Sequence, residues 1–506
     1  MKRGILSVVA LGCALSAATS AAEPVRAILR LKERVSMQQL AADVQNPNSS
    51  RYGRYFTPQE IREFAGPADQ DYKMLLSQLQ DEGFKVVNES KTHLWVEVEA
   101  DSEQFNETFR TNVQSDGVNR HQMFKALVPS RLSGVEAVIG LDTTHKRHHH
   151  MQRMAKTTQP AGISPATIKT VYGFNPIYAS GVTGKGQHIA VATYMGFKIA
   201  DVQSYYKSSN LSPVPKVDQV KFNGTPAYDE DAAGETQLDA EFTGMMAPGA
   251  QIHVFASATN DDAGEAAMFT AILDDGRANI INYSWGGCEA NLASDHKDEM
   301  ETIFNRAIAQ GVNILVASGD TGSDGCRDGS LSADWPGASP NVVAVGGTSL
   351  TVSGSSGRET AWSGSGGGIS VLFGLPSWQS ALKAPYKMRS FPDVAFNADP
   401  NTGEPVYIHT NGKAGWVTIG GTSMASPQWA GFLALVNEAR TKNGKSTLGY
   451  VAPLIYQASS TTRTSLFNDI TSGSNGAYKA AKGWDAVTGL GSMKANALLT
   501  YLAGLQ

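Results

Sequence analysis

The chain lacks most of the features that place a protein in a specialised class. Its 506 residues hold only three cysteines, Cys13, Cys288 and Cys326, which excludes a small scaffold stapled by disulfides. No charge of one sign dominates: 42 Lys+Arg stand against 47 Asp+Glu, a formal net charge of −5. Neither a nucleic-acid partner nor an anionic membrane surface is expected from that balance. Past the first two dozen residues no run is long and apolar enough to cross a bilayer. There is no internal repeat, so a solenoid is excluded. What the chain does have is glycine, 51 residues. Clusters such as 364–368 read as tight turns and close backbone approach.

The first 22 residues have the layout of a secretory signal. Lys2 and Arg3 supply the basic start, residues 5–18 a short apolar run, and Ser20-Ala21-Ala22 a cleavage point before Glu23. The protein is therefore expected to be secreted, extracellular or periplasmic. A lipid anchor at Cys13 is the alternative, but Ala10-Leu11-Gly12 fits a lipobox poorly. Removal of the signal leaves Cys288 and Cys326, either a disulfide or two buried thiols.

Residues 23–145 read as a compact α/β unit. Segments 25–31 and 95–98 alternate as strands do. Thr57-Pro58 with Glu60 marks a helix start, and 71–82 carries Tyr72, Leu75, Leu76 and Leu79 on one helical face before Gly83. Residues 146–160, with their histidine run His148-His149-His150, show little apolar periodicity and read as an exposed linker containing a processing site. Three adjacent histidines also suggest a metal site, though contiguous residues seldom close a shell. From 161 to 506 short apolar strands (188–192, 252–255, 280–283, 312–317, 342–345) alternate with helices (265–273, 299–309, 426–440). That pattern predicts a doubly wound, mostly parallel sheet, with sites where loops leave the carboxyl ends of strands.

Four places carry candidate chemistry. Ser423 follows Gly420-Gly421 and precedes an apolar helical stretch, so a tight turn would expose its hydroxyl at a helix N-terminus that favours negative charge. A plain helix cap is the other reading. Glu235 and Asp239 stand at i and i+4 and share a helical face. They are either a solvated acidic face or a coupled pair in which one carboxyl stays protonated. Asp320 follows an apolar strand and a glycine, as a turn cap or as a neutral carboxyl donor to an oxyanion. Asp469 and Asp485 are turn aspartates that could share a hard cation with loop carbonyls.

The string Gly421-Thr-Ser-Met-Ala-Ser-Pro427 resembles the nucleophile turn of subtilisin-like serine peptidases, which use a His-Gly-Thr-His type motif for their base. That motif does not occur here. Taken with Glu235-Thr-Gln-Leu-Asp239, Ser318-Gly-Asp320, and prodomain-like marks at 46–57 and 137–141, the chain resembles the sedolisin family, the serine-carboxyl peptidases. The resemblance implies an α/β, subtilisin-like, doubly wound and mostly parallel sheet preceded by a smaller ferredoxin-like prodomain. It implies Glu235 as general base for Ser423, Asp239 orienting Glu235, and Asp320 stabilising the oxyanion. It also implies one structural calcium ion held by the side chains of Asp469 and Asp485 and the carbonyls of Ile470, Ala481 and Gly483. Ala481 stands where glycine is common. Thr193 stands where some relatives carry a Glu wired to a tryptophan, matched here by Trp285, so the network is expected to end at Asp239 or a water. The expected protein is a monomeric zymogen: an acid-acting endopeptidase for protein or peptide substrates, inhibited by its own prodomain. A tripeptidyl exopeptidase of the same family and an inactive binding protein are the alternatives.

Overall fold

Two-residue alternation organises the N-terminal unit in a computed structural model that describes residues 24–153, 162–382 and 386–505. The signal-like segment and residues 154–161 of the linker lie outside the described residues. Four strands form an antiparallel sheet in the order Lys85–Glu89, Trp95–Ala100, Val25–Leu31, Val135–Ile139. With helices Asp69–Asp81 and Ser102–Phe109 this is the ferredoxin-like βαββαβ arrangement. Thr57 and Glu60 form the capping box that starts helix Pro58–Phe64.

Successive side chains of a strand point to opposite faces. Val25, Ala27, Leu29 and Leu31 therefore enter the unit's own core with Leu75, Leu79, Phe105 and Phe109. Ile28, Trp95 and Ile139 face the other way and join Phe269, Ile303 and Phe304 of the larger domain. The prodomain sheet thus lies on helices Asp262–Asp275 and Ser294–Ala309. Arg30 adds an ion pair to Glu299 at 3.3 Å.

The larger domain is built on one sheet, in the order Lys216–Val220, Gln251–Ala256, His188–Thr193, Ile280–Tyr283, Asn313–Ala317, Val343–Ser353, Val394–Asn397, Ser492–Met493, Phe467–Asn468. Every neighbouring pair is parallel except the last, and a hairpin strand, Ser356–Ala361, adds to Val343–Ser353. The strand order reverses around His188–Thr193, so a crevice opens at the carboxyl ends there. Helices Glu230–Met246 and Thr422–Lys442 pack together within one apolar core and are buried along nearly their whole length. Each runs back against the strands, which brings its N-terminal turns to the crevice. Among the described residues no helix is long and apolar enough to cross a membrane.

The expected exposed linker is corrected. His148–His149 is a strand paired antiparallel to Trp285–Cys288, and Gln152–Arg153 pairs with Lys413–Gly420. Arg147 and His150 are buried. The lack of apolar periodicity was a poor guide because backbone pairing and buried charge, not apolar packing, hold this segment.

Candidate active site

Ser423 is the second residue of its helix, Thr422–Lys442. Gly421, the residue before the helix, has φ 102° and ψ 161°, a region open to glycine and strained for other residues. A Cβ there would also run into the His150 carbonyl and the Asp320 carboxylate. Pro427 has no N–H, so the Ser423 carbonyl loses its helical partner and the first turn is freed from the regular ladder.

The structure brings Glu235, Asp239, Asp320 and Ser423 together, all buried. The Ser423 hydroxyl is turned toward the Ser284 carbonyl at 3.5 Å, and neither Glu235 oxygen accepts a hydrogen bond of good geometry. Burial pushes the Glu235 carboxyl well above its ordinary range, and the Asp239 charge adds to this; the nearby Ser423 hydroxyl offsets only part. Asp239 is pushed up by burial as well, against hydrogen bonds that favour its charged form. Its Oδ1 accepts from the Ser284 hydroxyl at 2.7 Å while Oδ2 has no partner. Two adjacent carboxyls in a dry site titrate as a pair, so the loss of the last proton is held above the ordinary carboxyl range.

Asp320 enters on the loop after Asn313–Ala317. Its Oδ1 accepts from the Thr422 N–H at 2.7 Å and the Thr422 hydroxyl at 2.8 Å, and Oδ2 is unpartnered. Burial raises its pKa to about 7 despite the two Thr422 donors. Below that pH the free Oδ2 can carry a proton beside the carbonyl-binding position. The Cys288–Cys326 disulfide is formed and ties the Trp285–Cys288 strand to the loop that carries Asp320.

The linker lies through this site. The Ser423 N–H donates to the His150 carbonyl at 3.3 Å, and the His150 N–H donates to the Ser284 carbonyl at 3.2 Å. The His150 ring is buried against Gly286, with Nε2 3.7 Å from Asp334 Oδ1. Gln152 Nε2 donates to the Asp320 carbonyl at 3.1 Å. An extended chain thus lies with its carbonyl on the Ser423 N–H.

The network does not end where the sequence suggested. Trp285 Nε1 donates to Thr193 Oγ1 at 3.1 Å, and Thr193 and Thr236 hydroxyls lie 2.8 Å apart. Asp239 continues to Ser284, which takes a hydrogen bond from Asn282 at 3.3 Å, and Asn282 accepts from Ser426 at 2.7 Å. Ser284, Asn282 and Thr422 were missed. All three flank residues already singled out, and only the tertiary contact shows their part.

Asp469 and Asp485 converge on one loop. Asp469 accepts from Gly483 N–H at 3.0 Å and Asp485 from Ala481 N–H at 3.1 Å. Together with the Ala481 and Gly483 backbones they line one cavity of about 750 Å³. Burial holds Asp485 at about 6, above its ordinary value, even though the Ala481, Thr488 and Val487 N–H groups favour the charged form. A buried carboxylate short of positive charge beside a second carboxylate suits a hard cation.

Comparison with known proteins follows the same division of the chain. Residues 14–144 match the pro-kumamolisin activation domain and residues 230–484 the subtilase family. Kumamolisin of a Bacillus species is 36% identical over 78% of this chain and 75% of its own length. Sedolisin of a Pseudomonas species is 29% identical over 94% and 86%, and rat tripeptidyl-peptidase 1 is 26% identical over 92% and 89%. The solved structure of Pseudomonas sedolisin, a serine-carboxyl proteinase complexed with pseudo-iodotyrostatin, superposes with a TM-score of 0.60 at 32% identity, covering 68% of this chain and 98% of that one. The chain belongs to the sedolisin family: it is a serine-type peptidase carrying its own activation domain.

Proposed function

We propose that this protein is a secreted, acid-acting serine-carboxyl endopeptidase that matures by cutting its own His150–Met151 bond. The observation that carries this reading is the hydrogen bond from the Ser423 N–H to the His150 carbonyl, with the chain paired to a strand on either side of that bond. Ser423 Oγ attacks the His150 carbonyl carbon and its proton passes to Glu235. Asp239 orients Glu235 and shares the proton left on the dyad. The oxyanion receives hydrogen bonds from the Ser423 N–H and from protonated Asp320. Glu235 returns its proton to the Met151 amine as the C–N bond breaks, and water then hydrolyses the acyl-enzyme with Glu235 again as base.

Endopeptidase action is favoured over removal of tripeptides by the course of the linker. His149 and His148 pair with Trp285 and Gly286, and beyond them the chain continues along the cleft to Arg147, whose N–H donates to Asn260. Asp469, Asp485 and the carbonyls of Ile470, Ala481 and Gly483 would hold one calcium ion, whose contribution is to brace the C-terminal loops. No chemical step involves it.

Ser423→Ala tests the reading. The variant should fold, show activity lower by several orders of magnitude, and persist as uncleaved precursor at acid pH. The wild type should release a species whose first new N-terminus is Met151. A Ser423→Ala protein that matures normally would refute the assignment.

A further inference from the structure

Arg147 is a fully embedded cation in a segment that the mature enzyme discards. Its side chain is 4% exposed. Nη2 donates to Asp262 Oδ1 at 2.8 Å and to Glu265 Oε2 at 2.8 Å, and Nε donates to the same Glu265 oxygen at 3.1 Å. His296 Nε2 lies 2.8 Å from Nη2 and 2.6 Å from Glu265 Oε2. Tyr283 donates its hydroxyl to Glu265 Oε1 at 2.8 Å, which fixes the carboxylate from behind. Within the linker, the guanidinium also donates to the His145 carbonyl at 3.3 Å, and His145 Nδ1 lies 3.1 Å from Asp262 Oδ2.

The pocket walls belong to the catalytic domain. Asp262 and Glu265 lie in the first turn of helix Asp262–Asp275, His296 on Ser294–Ala309, and Tyr283 at the end of a central strand. They stay when the linker leaves. The backbone of Arg147 is held there too, independently of its side chain. Its N–H donates to Asn260 Oδ1 at 2.8 Å, and Asn260 Nδ2 donates to its carbonyl at 2.9 Å. Counting back from the bond at Ser423, His150 is first, His149 and His148 are second and third along the Trp285–Gly286 pairing, and Arg147 is fourth.

We infer that Asp262, Glu265 and His296 form a specificity subsite of the mature peptidase for an arginine side chain four residues before the cleaved bond. A prodomain latch needs only one pairing in the life of the chain. A two-point amide clamp that keeps the backbone in substrate register serves every extended peptide that enters the cleft. When the linker leaves, only His296 remains beside the two carboxylates to offset their charge, and a guanidinium fork answers their geometry better than an ammonium.

This inference rests on the peptidase reading and on its register, and the test separates the two. The self-matured enzyme is given the peptide of residues 145–153 and its Arg147→Lys and Arg147→Ala counterparts, and products are identified by mass. Expected is cleavage after His150 in each, with kcat/KM lower by about tenfold to a hundredfold for the Ala peptide and intermediate for Lys. Glu265→Gln should compress the Arg-to-Ala ratio. Equal kcat/KM for the Arg and Ala peptides, both cut after His150, would overturn the subsite and leave the peptidase standing. Failure to cut any of these peptides, or unfolded protein substrate, would overturn the peptidase reading and the subsite with it. The peptide comparison uses wild-type enzyme alone, so a poorly folding Glu265→Gln protein cannot mask the answer.

Discussion

Two clusters of carboxylates lie on one domain, both shut away from water, and their surroundings push their pKa values in opposite directions. Among the described residues Glu235, Asp239 and Asp320 form no ion pair with an arginine or lysine; the Arg327 charge favours ionised Asp320, but burial outweighs it and drives all three upward. In the Arg147 pocket burial also pushes upward, but it is outweighed. His296 and Arg147 lower Asp262, and Arg147 and His296 bring Glu265 down to about 2. Depth alone therefore does not set a carboxyl's chemistry; the neighbouring cation does. One cluster is built to hold and move protons, the other to hold a positive charge. Trp285 stands between them: its ring packs edge-on against His149 on one side and Tyr194 on the other, and the Tyr194 hydroxyl reaches Tyr283 of the cation pocket at 2.9 Å.

Breaking the proton-holding cluster should have the largest effect. Glu235→Gln removes the proposed base and should lower kcat by about 10²- to 10⁴-fold, with the fold unchanged by circular dichroism. Loss of less than tenfold would mean that another group takes the Ser423 proton.

Next comes the cation pocket. In a Ser423→Ala background, where the precursor stays intact, Arg147→Ala leaves two buried carboxylates with only His145 and His296 beside them. That should cost about 3–5 kcal/mol of precursor stability, read from the urea midpoint at pH 6. Asp320→Asn in the same background removes a carboxyl that makes no ion pair and whose charged form burial disfavours, and should not destabilise at pH 8. Equal losses from both changes would erase the distinction between the clusters.

Stability against pH sharpens the comparison with a smaller signal. Glu299 is raised to about 7, Glu404 to about 8 and Asp320 to about 7, each by burial. A raised folded-state pKa gives stability that is fully present below the unfolded value and is lost as pH rises through the folded one. These groups should therefore favour the precursor below about pH 4 and withdraw that support through about pH 7–8. Glu265 works in reverse: its support is present above the ordinary Glu pKa and lost as pH falls through about 2. His148, His149 and His150 act in the opposite sense, so the test uses a Ser423→Ala precursor in which all three are Gln; its urea midpoint should be higher at pH 5 than at pH 8. A higher midpoint at pH 8 would contradict the assignment of these charge states.

The smallest effect is expected at the C-terminal loops. Asp469→Ala or a chelator should lower the melting temperature of the mature enzyme by several degrees, because an ion bound only to the folded state stabilises it. A melting temperature unmoved by calcium, with no metal in elemental analysis, would remove the site.

Much of the buried serine–carboxyl cluster was legible in the chain. Ser423 announces itself through Gly420-Gly421 and the helix behind it, and Glu235 and Asp239 through their four-residue spacing. What spacing cannot show is depth. The helix of Glu235 is buried on all sides, so its acidic face is a dry pair rather than a solvated stripe. The linker was misread for a related reason. Arg147 finds Asp262 and Glu265 more than a hundred residues away, and those two read in sequence as ordinary acids in the first turn of a helix, favourable to its dipole. His148, His149 and His150 read as a solvated run, whereas burial lowers the pKa of all three in the cleft. Their neutral forms are favoured while docked, so docking weakens as pH falls below the ordinary histidine value near 6.5.

The central claim is that a protonated Asp320 and a carboxyl dyad, rather than a histidine, run the reaction. The pH profile of kcat/KM for the mature enzyme on a single peptide tests it most directly. The account predicts a maximum on the acid side and a fall through about pH 7 as Asp320 loses its proton. Activity that holds or rises from pH 7 to alkaline pH would contradict it.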